Sequence, residues 1–452
     1  MRDLKDISHI YFIGIGGIGM SALARYLHEQ GKQVAGYDRV ATTLTNQLVV
    51  EGISIHYNDA YDFIPDEFKN PEKALVVYTP AVKQDFGELV RFRESDIPIV
   101  KRAKLLGAIS KTMTCLAIAG THGKTTTSAI LGHLLYQSDI KTTAFLGGIL
   151  EGYNTNYLNS GTDVMVVEAD EFDRSFLQLE PDYAGITAID PDHLDIYGSE
   201  EEFEKAFEEF GALVPQDSLF VNESVKLAGN KIGIDTGDYH ASHLTIVDGT
   251  YYFNLETPSG TLKDWSLRLP GQHNLANAIL ALSIAINYGA NVEKLKNALA
   301  SFKGVERRFS YKMNTEKFVV IDDYAHHPTE INAVYQAVKE MYPDEKYTVI
   351  FQPHLYSRTK DFMDDFATSL SQFHKVGMLN IYAAREEPME GVHSAVLCER
   401  IRNQETSPHM TTLLEKEDMA EFIKEMDNRI VLLLGAGDIG AEVDRVVKEL
   451  AV

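Results

Sequence analysis

The residues with the clearest chemistry lie together in one stretch. An apolar run, Thr114 to Ala119, leads into Gly120-Thr121-His122-Gly123-Lys124-Thr125-Thr126-Thr127, and Ser128 to Leu135 follows with helical apolar spacing. The order is strand, glycine-bounded loop, helix. Backbone N–H groups in such a loop, with the positive end of the helix, form a nest for phosphate. Lys124 is placed to reach β/γ-phosphates and the Thr125 hydroxyl to ligate Mg²⁺. Ile118 stands where the usual P-loop spacing has its first glycine, so the turn is a shortened one that starts at Gly120. A chance glycine turn would not bring strand, glycines, Lys-Thr and helix together.

Carboxylates stand at the ends of the next apolar runs. Asp163 to Val167 reads as a buried strand ending in Glu168-Ala169-Asp170-Glu171-Phe172-Asp173. A carboxylate at a strand end beside a phosphate loop is placed to hold Mg²⁺. Glu168 terminates the apolar run and fits that role, whereas Asp170 and Glu171 read as a solvated acidic turn. Ala184 to Ile189 is a further strand, followed by Asp190-Pro191-Asp192-His193, and His193 among these acids reads as a second ligand.

Two other regions repeat the pattern of polar groups after a strand. Ile10 to Ile13 leads into Gly14-Ile15-Gly16-Gly17-Ile18-Gly19, a helix from Met20 to Gln30, and a strand from Gln33 to Tyr37 that ends at Asp38. This is a mononucleotide-binding βαβ pattern with an acid at the ribose position; alone it most often means NAD, although the turn accepts any pyrophosphate. Phe318 to Ile321 ends in Asp322-Asp323-Tyr324-Ala325-His326-His327-Pro328-Thr329-Glu330, and Tyr347 to Phe351 in Gln352-Pro353-His354-Leu355-Tyr356-Ser357-Arg358-Thr359. Open α/β sheets bind ligands at such strand ends, and the Arg358 guanidinium suits a carboxylate. A last glycine turn, Gly435 to Gly440, reads as tight strand–helix packing, because little chain remains to complete a dinucleotide site.

The elements that must position these groups suggest an α/β protein of three domains, in keeping with 452 residues at roughly 150 per domain. Residues 1–107 form an N-terminal Rossmann-like parallel sheet. Residues 108–310 form a central P-loop ATPase-like α/β domain, with a small antiparallel sheet added from residues 217–268. Residues 311–452 form a C-terminal Rossmann-like domain. The formal charge of −24 argues against nucleic-acid or anionic-membrane binding. No apolar run is long enough to cross a bilayer, and the N-terminus is polar. Two distant cysteines, Cys115 and Cys398, suit a reducing cytoplasm. Oligomeric state is not legible.

The string Gly-Thr-His-Gly-Lys-Thr-Thr-Thr resembles the ATP loop of the Mur ligases, the enzymes that assemble the peptidoglycan stem peptide. Gly-Ile-Gly-Gly-Ile-Gly-Met-Ser resembles their opening turn. Asp-Asp-Tyr-Ala-His-His-Pro-Thr-Glu and Phe-Gln-Pro-His-x-Tyr-Ser-Arg-Thr are similar to the branch that attaches the first amino acid. The motifs span the whole chain in the family's order. The resemblance implies ligation of L-alanine to UDP-N-acetylmuramate through an acyl phosphate, with ATP and Mg²⁺ as cofactors. It implies UDP-sugar binding by Gly16, Gly17, Ile18 and Gly19, with Asp38 as a ribose or sugar contact. It places ATP on Gly120, Thr121, His122, Gly123, Lys124, Thr125 and Thr126, with His273 and Asn277 at the adenine and Arg308 at a phosphate. Metal falls to Thr125, Glu168 and His193, and the amino acid to Tyr324, His354 and Arg358. Lys124 is catalytic, and His326 is the candidate base for the attacking amine.

Plainer readings stand beside these: Asn274 as a helix N-cap, and Arg307 and Arg308 as solvated hinge residues. Two departures from the family matter. Leu355 stands where an arginine often follows the histidine. Lys205, the only lysine of residues 200–209, is flanked at helical spacing by glutamates and reads as a surface ion pair, so it is assigned no carbamate. The alternatives are a recycling ligase that joins a tripeptide to the same sugar nucleotide, an NAD-dependent oxidoreductase, and a non-catalytic nucleotide-sensing module.

Overall fold

The computed structural model describes residues 4–190, 194–247, 249–384, 386–425 and 428–451, and for Leu194 and Asp195 the backbone alone. Residues divide into two compact units. The first is Met1–His243, Phe253–Trp265 and Ala276–Phe302; the second is Leu244–Tyr252, Ser266–Leu275 and Lys303–Val452.

The first unit carries two sheets. One is wholly parallel, in the order β3-β2-β1-β4-β5: β1 His9–Ile13, β2 Gln33–Tyr37, β3 Ser54–His56, β4 Ala74–Tyr78 and β5 Ile99–Lys101. The other has seven strands: β6 Thr114–Ala119, β7 Thr142–Leu150, β8 Thr155–Asn159, β9 Val164–Glu168, β10 Tyr183–Ile186, β11 Leu219–Asn222 and β12 Asn230–Ile232. Its order is β12-β11-β10-β6-β9-β7-β8, and β8 alone runs antiparallel to its neighbour. Strand β6 lies inside this sheet, and Cys115 to Ala119 are fully buried. A run buried on both faces is the mark of an interior parallel strand. Of Ser218 to Val221, expected in the small antiparallel sheet, Leu219 to Val221 instead belong to β11 and pair parallel with β10, and Ser218 ends a 3₁₀ segment. The short run has no alternation to reveal its direction, which the preceding helix Glu200–Gly211 decides by returning the chain.

The two sheets of this unit are joined through side chains. Helix Ile18–Glu29 packs on β7 and β8, with the Tyr26 and Phe145 rings 5.4 Å apart. Buried Arg25 donates to Asn156 Oδ1 at 2.5 Å, and Asn156 Nδ2 donates to Ser21 Oγ at 2.9 Å. Helix Arg102–Ser110 meets the 3₁₀ segment Phe172–Gln178 so closely that a Cβ on Gly107 would lie 2.0 Å from the Gln178 carbonyl oxygen.

A third sheet holds β13 His240–Val247, β14 Thr250–Thr257 and β15 Gly260–Leu267, antiparallel as expected. The second unit contains the fourth, in the order β16-β17-β21-β18-β19-β20: β16 Ser310–Asn314, β17 Val319–Asp323, β18 Tyr347–Phe351, β19 Lys375–Met378, β20 Met410–Leu413 and β21 Ile430–Leu434. Only β16 runs antiparallel to its neighbour. Both cysteines are buried and unbridged. Among the described residues no helix is long and apolar enough to cross a membrane.

Candidate active site

The loop after β6 is shaped by backbone that side chains would obstruct. Gly120 has φ +133°, and a Cβ there would lie 2.0 Å from Thr187 Oγ1. Gly123 is left-handed at φ +82° and is the N-cap of helix Lys124–Gln137. Having no side chain, it leaves the first-turn N–H groups without a side-chain cap, which favours an anionic ligand. The β-branched Thr125, Thr126 and Thr127 are ordinary-to-poor helix formers; here all three are buried, and packing holds them helical. The end of β10 supports the loop. Thr121 N donates to the Ala188 carbonyl at 3.0 Å, Asp190 N donates to Thr121 Oγ1 at 3.0 Å, and Thr187 Oγ1 donates to the His122 carbonyl. His122 Nε2 pairs with Asp190 at 3.3 Å. Asn277, on helix Gln272–Tyr288, faces the loop: a Cβ on Gly123 would lie 2.6 Å from its Oδ1.

Lys124 does not face solvent. Its side chain is 14% exposed, and its ammonium is 2.8 Å from Glu171 Oε2 and donates to the Gly120 carbonyl. Glu171, expected to be solvated, is buried. Burial pushes its carboxyl up to about 7, against the pull of Lys124. Burial also opposes the charge on Lys124, but the carboxylates of Glu171 and Glu168 outweigh it and hold the ammonium above its ordinary range. Asp170 is not a free surface acid either, since it accepts from Arg102 Nη2 at 2.7 Å. Asp170 and Glu171 both follow within three residues of Glu168, the end of a strand paired parallel with β6, so they leave the sheet beside the loop; the left-handed Asp173 and Arg174, at φ +56° and +52°, come after them.

Glu168 ends β9 as expected, and its Oε2 is buried with no hydrogen-bond partner. Such an orphaned carboxylate oxygen suits a bound cation. With the Thr125 hydroxyl it fits the donor set expected for Mg²⁺. His193 lies outside the described residues. Among the described residues no three His, Cys, Asp or Glu side chains cluster as a metal site. Lys205 is exposed and 3.8 Å from Glu202, the surface pair its spacing suggested.

The first glycine turn meets the same region. Gly14 N and Ile15 N donate to the Tyr37 carbonyl, and Gly16 N donates to Asp38 Oδ2 at 2.7 Å. Asp38 thus braces the turn itself. Helix Ile18–Glu29 starts at an uncapped Gly17, and a Cβ on Gly19 would lie 2.7 Å from Arg102 Nη1. Gly19, Ile18, Arg102, Gly147 and Glu168 line one cavity of about 140 Å³. The first glycine turn and the orphaned carboxylate therefore share a chamber, which the sequence spacing did not reveal.

In the second unit the expected residues gather at the ends of β17 and β18. His326 lies 5.3 Å from Tyr324 and 5.9 Å from His354, ring centre to ring centre. Its Nδ1 is 3.0 Å from the Tyr324 carbonyl and 3.2 Å from Glu330 Oε2. Those two acceptors assign the Nδ1 proton and leave Nε2 as the basic nitrogen. Buried Arg358 is 3.4 Å from His354 Nδ1. Leu355 precedes helix Tyr356–Asp361 with φ +72°, a strained conformation for a branched residue. The guanidinium groups of Arg307 and Arg308 lie over the Tyr324 ring at 5.1 and 5.2 Å. Arg307 is not a solvated hinge residue: it donates to the Gly435 carbonyl and pairs with Asp322 at 3.5 Å. Asp323 is buried, and burial raises its carboxyl to about 6 against the charge of Arg308 and the N–H groups of Phe309 and Ala325. Surrounding protein, then the Arg308 charge, pulls the His273 imidazole down to about 4, so it is neutral at pH 7. Asn274 is not the helix cap; its Nδ2 donates to the Pro270 carbonyl at 2.6 Å.

Fold and strand-end chemistry describe a nucleotide-dependent ligase, and comparison with known proteins agrees. Three family models match in order: the Mur ligase catalytic domain over residues 9–114, the Mur ligase middle domain over 118–285, and the Mur ligase glutamate ligase domain over 307–437. The chain belongs to the Mur ligase family. A curated relative, the UDP-N-acetylmuramate–L-alanine ligase of Christiangramia forsetii, is 53% identical over 100% of this chain and 99% of its own. The crystal structure of a UDP-N-acetylmuramate–alanine ligase from Thermotoga maritima superposes with a TM-score of 0.82 at 30% identity, covering 98% of this chain and 99% of the other. A murein peptide ligase from Psychrobacter arcticus shares the fold, with a TM-score of 0.69 at 21% identity over 98% of each chain.

Proposed function

We propose that this chain joins L-alanine to UDP-N-acetylmuramate, converting ATP to ADP and phosphate, in the cytoplasmic synthesis of peptidoglycan precursors. The observation that carries the reading is the shared chamber of Gly19, Arg102 and Glu168, which brings a sugar-diphosphate turn beside a carboxylate suited to Mg²⁺. The lactyl carboxylate of the sugar nucleotide attacks the γ-phosphorus, ADP leaves, and an acyl phosphate forms. The alanine amine then attacks the acyl carbon, and phosphate leaves. Phosphoryl transfer needs positioning and charge neutralisation above all. Lys124 and the N–H groups of Gly120, His122, Gly123 and Thr126 supply these, and Thr121, bonded to the Ala188 carbonyl, holds the loop in place. Bound Mg²⁺, held by Thr125 and Glu168 with His193 as the expected third ligand, neutralises phosphate charge. Gly16, Gly17, Ile18 and Gly19 take the diphosphate, and Asp38 holds their turn in shape. Asn277 and His273 serve the adenine and Arg308 a phosphate.

Arg358 holds the alanine carboxylate beside Tyr324 and His354. His326 Nε2 takes a proton from the alanine ammonium, making the amine nucleophilic. Residues 1–107 serve as the sugar-nucleotide domain, 108–310 as the ATP domain and 311–452 as the amino-acid domain, a division that the order of the three matched regions supports. Family membership removes the oxidoreductase reading. The likeness to a murein peptide ligase, at its low identity, concerns the fold alone. Incubation with ATP, Mg²⁺, UDP-N-acetylmuramate and single amino acids, with phosphate release measured, is expected to show turnover with L-alanine. Turnover with a tripeptide and none with alanine would overturn the proposal.

A further inference from the structure

The acidic segment after β9 touches both nucleotide regions of the first unit. Asp170 accepts from Arg102, which stands against Gly19 of the diphosphate turn. Asp173 pairs with Lys101, at the end of β5, at 2.6 Å. Between them Glu171 turns the other way and takes Lys124 of the ATP loop. The Tyr197 hydroxyl, donating to the Glu171 carbonyl at 2.5 Å, fixes the backbone at that point. The left-handed pair Asp173–Arg174 is unfavourable for residues with a Cβ, so its conformation depends on these contacts.

We propose that Glu171 is a positioning residue that holds Lys124 off the phosphate position, and that residues 168–174 couple the sugar-nucleotide turn to the ATP loop. This rests on the reading of Lys124 as the ATP-phosphate residue. A diphosphate on Gly16 to Gly19 is an anion beside Arg102 and competes with Asp170 for it. A triphosphate in the loop competes with Glu171 for Lys124. Each release removes a restraint on the same short segment, so either ligand favours the other. Such coupling is reciprocal.

The test is the affinity of the Mg²⁺ complex of β,γ-imido-ATP, measured calorimetrically with and without saturating UDP-N-acetylmuramate. In the wild type the sugar nucleotide is expected to tighten the analogue about tenfold, within the usual range of such couplings. Glu171→Gln is expected to bind the analogue more tightly without the sugar nucleotide and to bring the ratio near one. Asp170→Asn is expected to lower the ratio as well. Weaker analogue binding by Glu171→Gln, or a wild-type ratio in both variants, would overturn the proposal. If Glu171→Gln does not fold, Asp173→Asn, at a half-exposed pair, loosens the same segment; an unchanged ratio there overturns it equally. Lys124→Ala separates the premises. If it binds the analogue as the wild type does, the reading of Lys124 fails and the proposal falls with it. If it loses binding while Glu171→Gln behaves as wild type, the coupling alone is refuted.

Discussion

Two glycine turns lead from an interior strand into a helix, and only one is left open to a ligand. After β6, Gly123 offers no cap, and the helix begins with Lys124 and Thr125. After β21, the turn is filled by the protein. Gln352, from the end of β18, accepts from Ile439 N at 2.9 Å and donates to Asp438 Oδ1 at 2.8 Å. A Cβ on Gly440 would lie 2.3 Å from the Arg307 guanidinium carbon. The helix N-terminus that is left uncapped in one region is satisfied by a neighbouring strand in the other. A glycine pattern after a strand is therefore not by itself a nucleotide site, and the second unit places its polar cluster beside its glycine turn rather than in it.

The largest effect that separates the turns is expected from Lys124→Ala. Loss of one preorganised charge donor at a transferring phosphoryl group lowers turnover about 100- to 1,000-fold, read as phosphate release. The variant also leaves Glu171 buried without its cation. A carboxyl held above its unfolded value stabilises below that value and loses the contribution as pH rises. The melting temperature of Lys124→Ala should therefore fall further below wild type at pH 8 than at pH 5, and adding Glu171→Gln should restore stability without restoring turnover. Near-normal turnover in Lys124→Ala would remove the distinction between the turns.

Arg358→Ala probes the cluster beside the filled turn. A charge-assisted bond to a carboxylate contributes about 1.5–3 kcal/mol, so the KM for alanine is expected to rise about tenfold to a hundredfold, with those for ATP and UDP-N-acetylmuramate little changed. Arg358→Lys should rescue only partly, because the ammonium lacks the planar fork. A rise in the KM for ATP instead would move Arg358 to the phosphate site.

Gln352→Ala opens the filled turn. Loss of its two hydrogen bonds should cost about 1–3 kcal/mol, seen in denaturant unfolding, with the KM for ATP unchanged. A new nucleotide affinity of the opened turn, by calorimetry with ADP, would show that Gln352 alone separates the two regions.

The smallest effect concerns Asp438, whose carboxyl lies below its ordinary value: burial opposes the charge, but the bonds from Lys416 and Gln352 outweigh it. A depressed carboxyl stabilises above its unfolded value, near 3.8, and loses that contribution as pH falls through the native one. Asp438→Asn is expected to lower the unfolding free energy equally at pH 7 and pH 5, by about 1 kcal/mol or less, measured by denaturant unfolding. The difference from wild type should close below pH 3.8.

The sequence by itself determined what depends on neighbours along the chain. Strand, glycine and helix after Ala119, the carboxylate at Glu168, and the polar strings after β17 and β18 were all legible, because apolar period, missing Cβ atoms and strand ends are local properties. The turn at Gly435 reads as packing, and Gln352 and Arg307 fill it. Tertiary structure alone decided which groups meet. Glu171 reads as a solvated acid until the pairing of β9 with β6 brings it beside Lys124. Arg102 gives no sign in sequence that it stands between Gly19 and Asp170, and Gln352 none that it closes a turn more than 80 residues away. Nor do Leu219 to Val221 show their parallel partner. Side-chain partners across a sheet follow from strand order and chain reversal, and a one-dimensional pattern does not encode them.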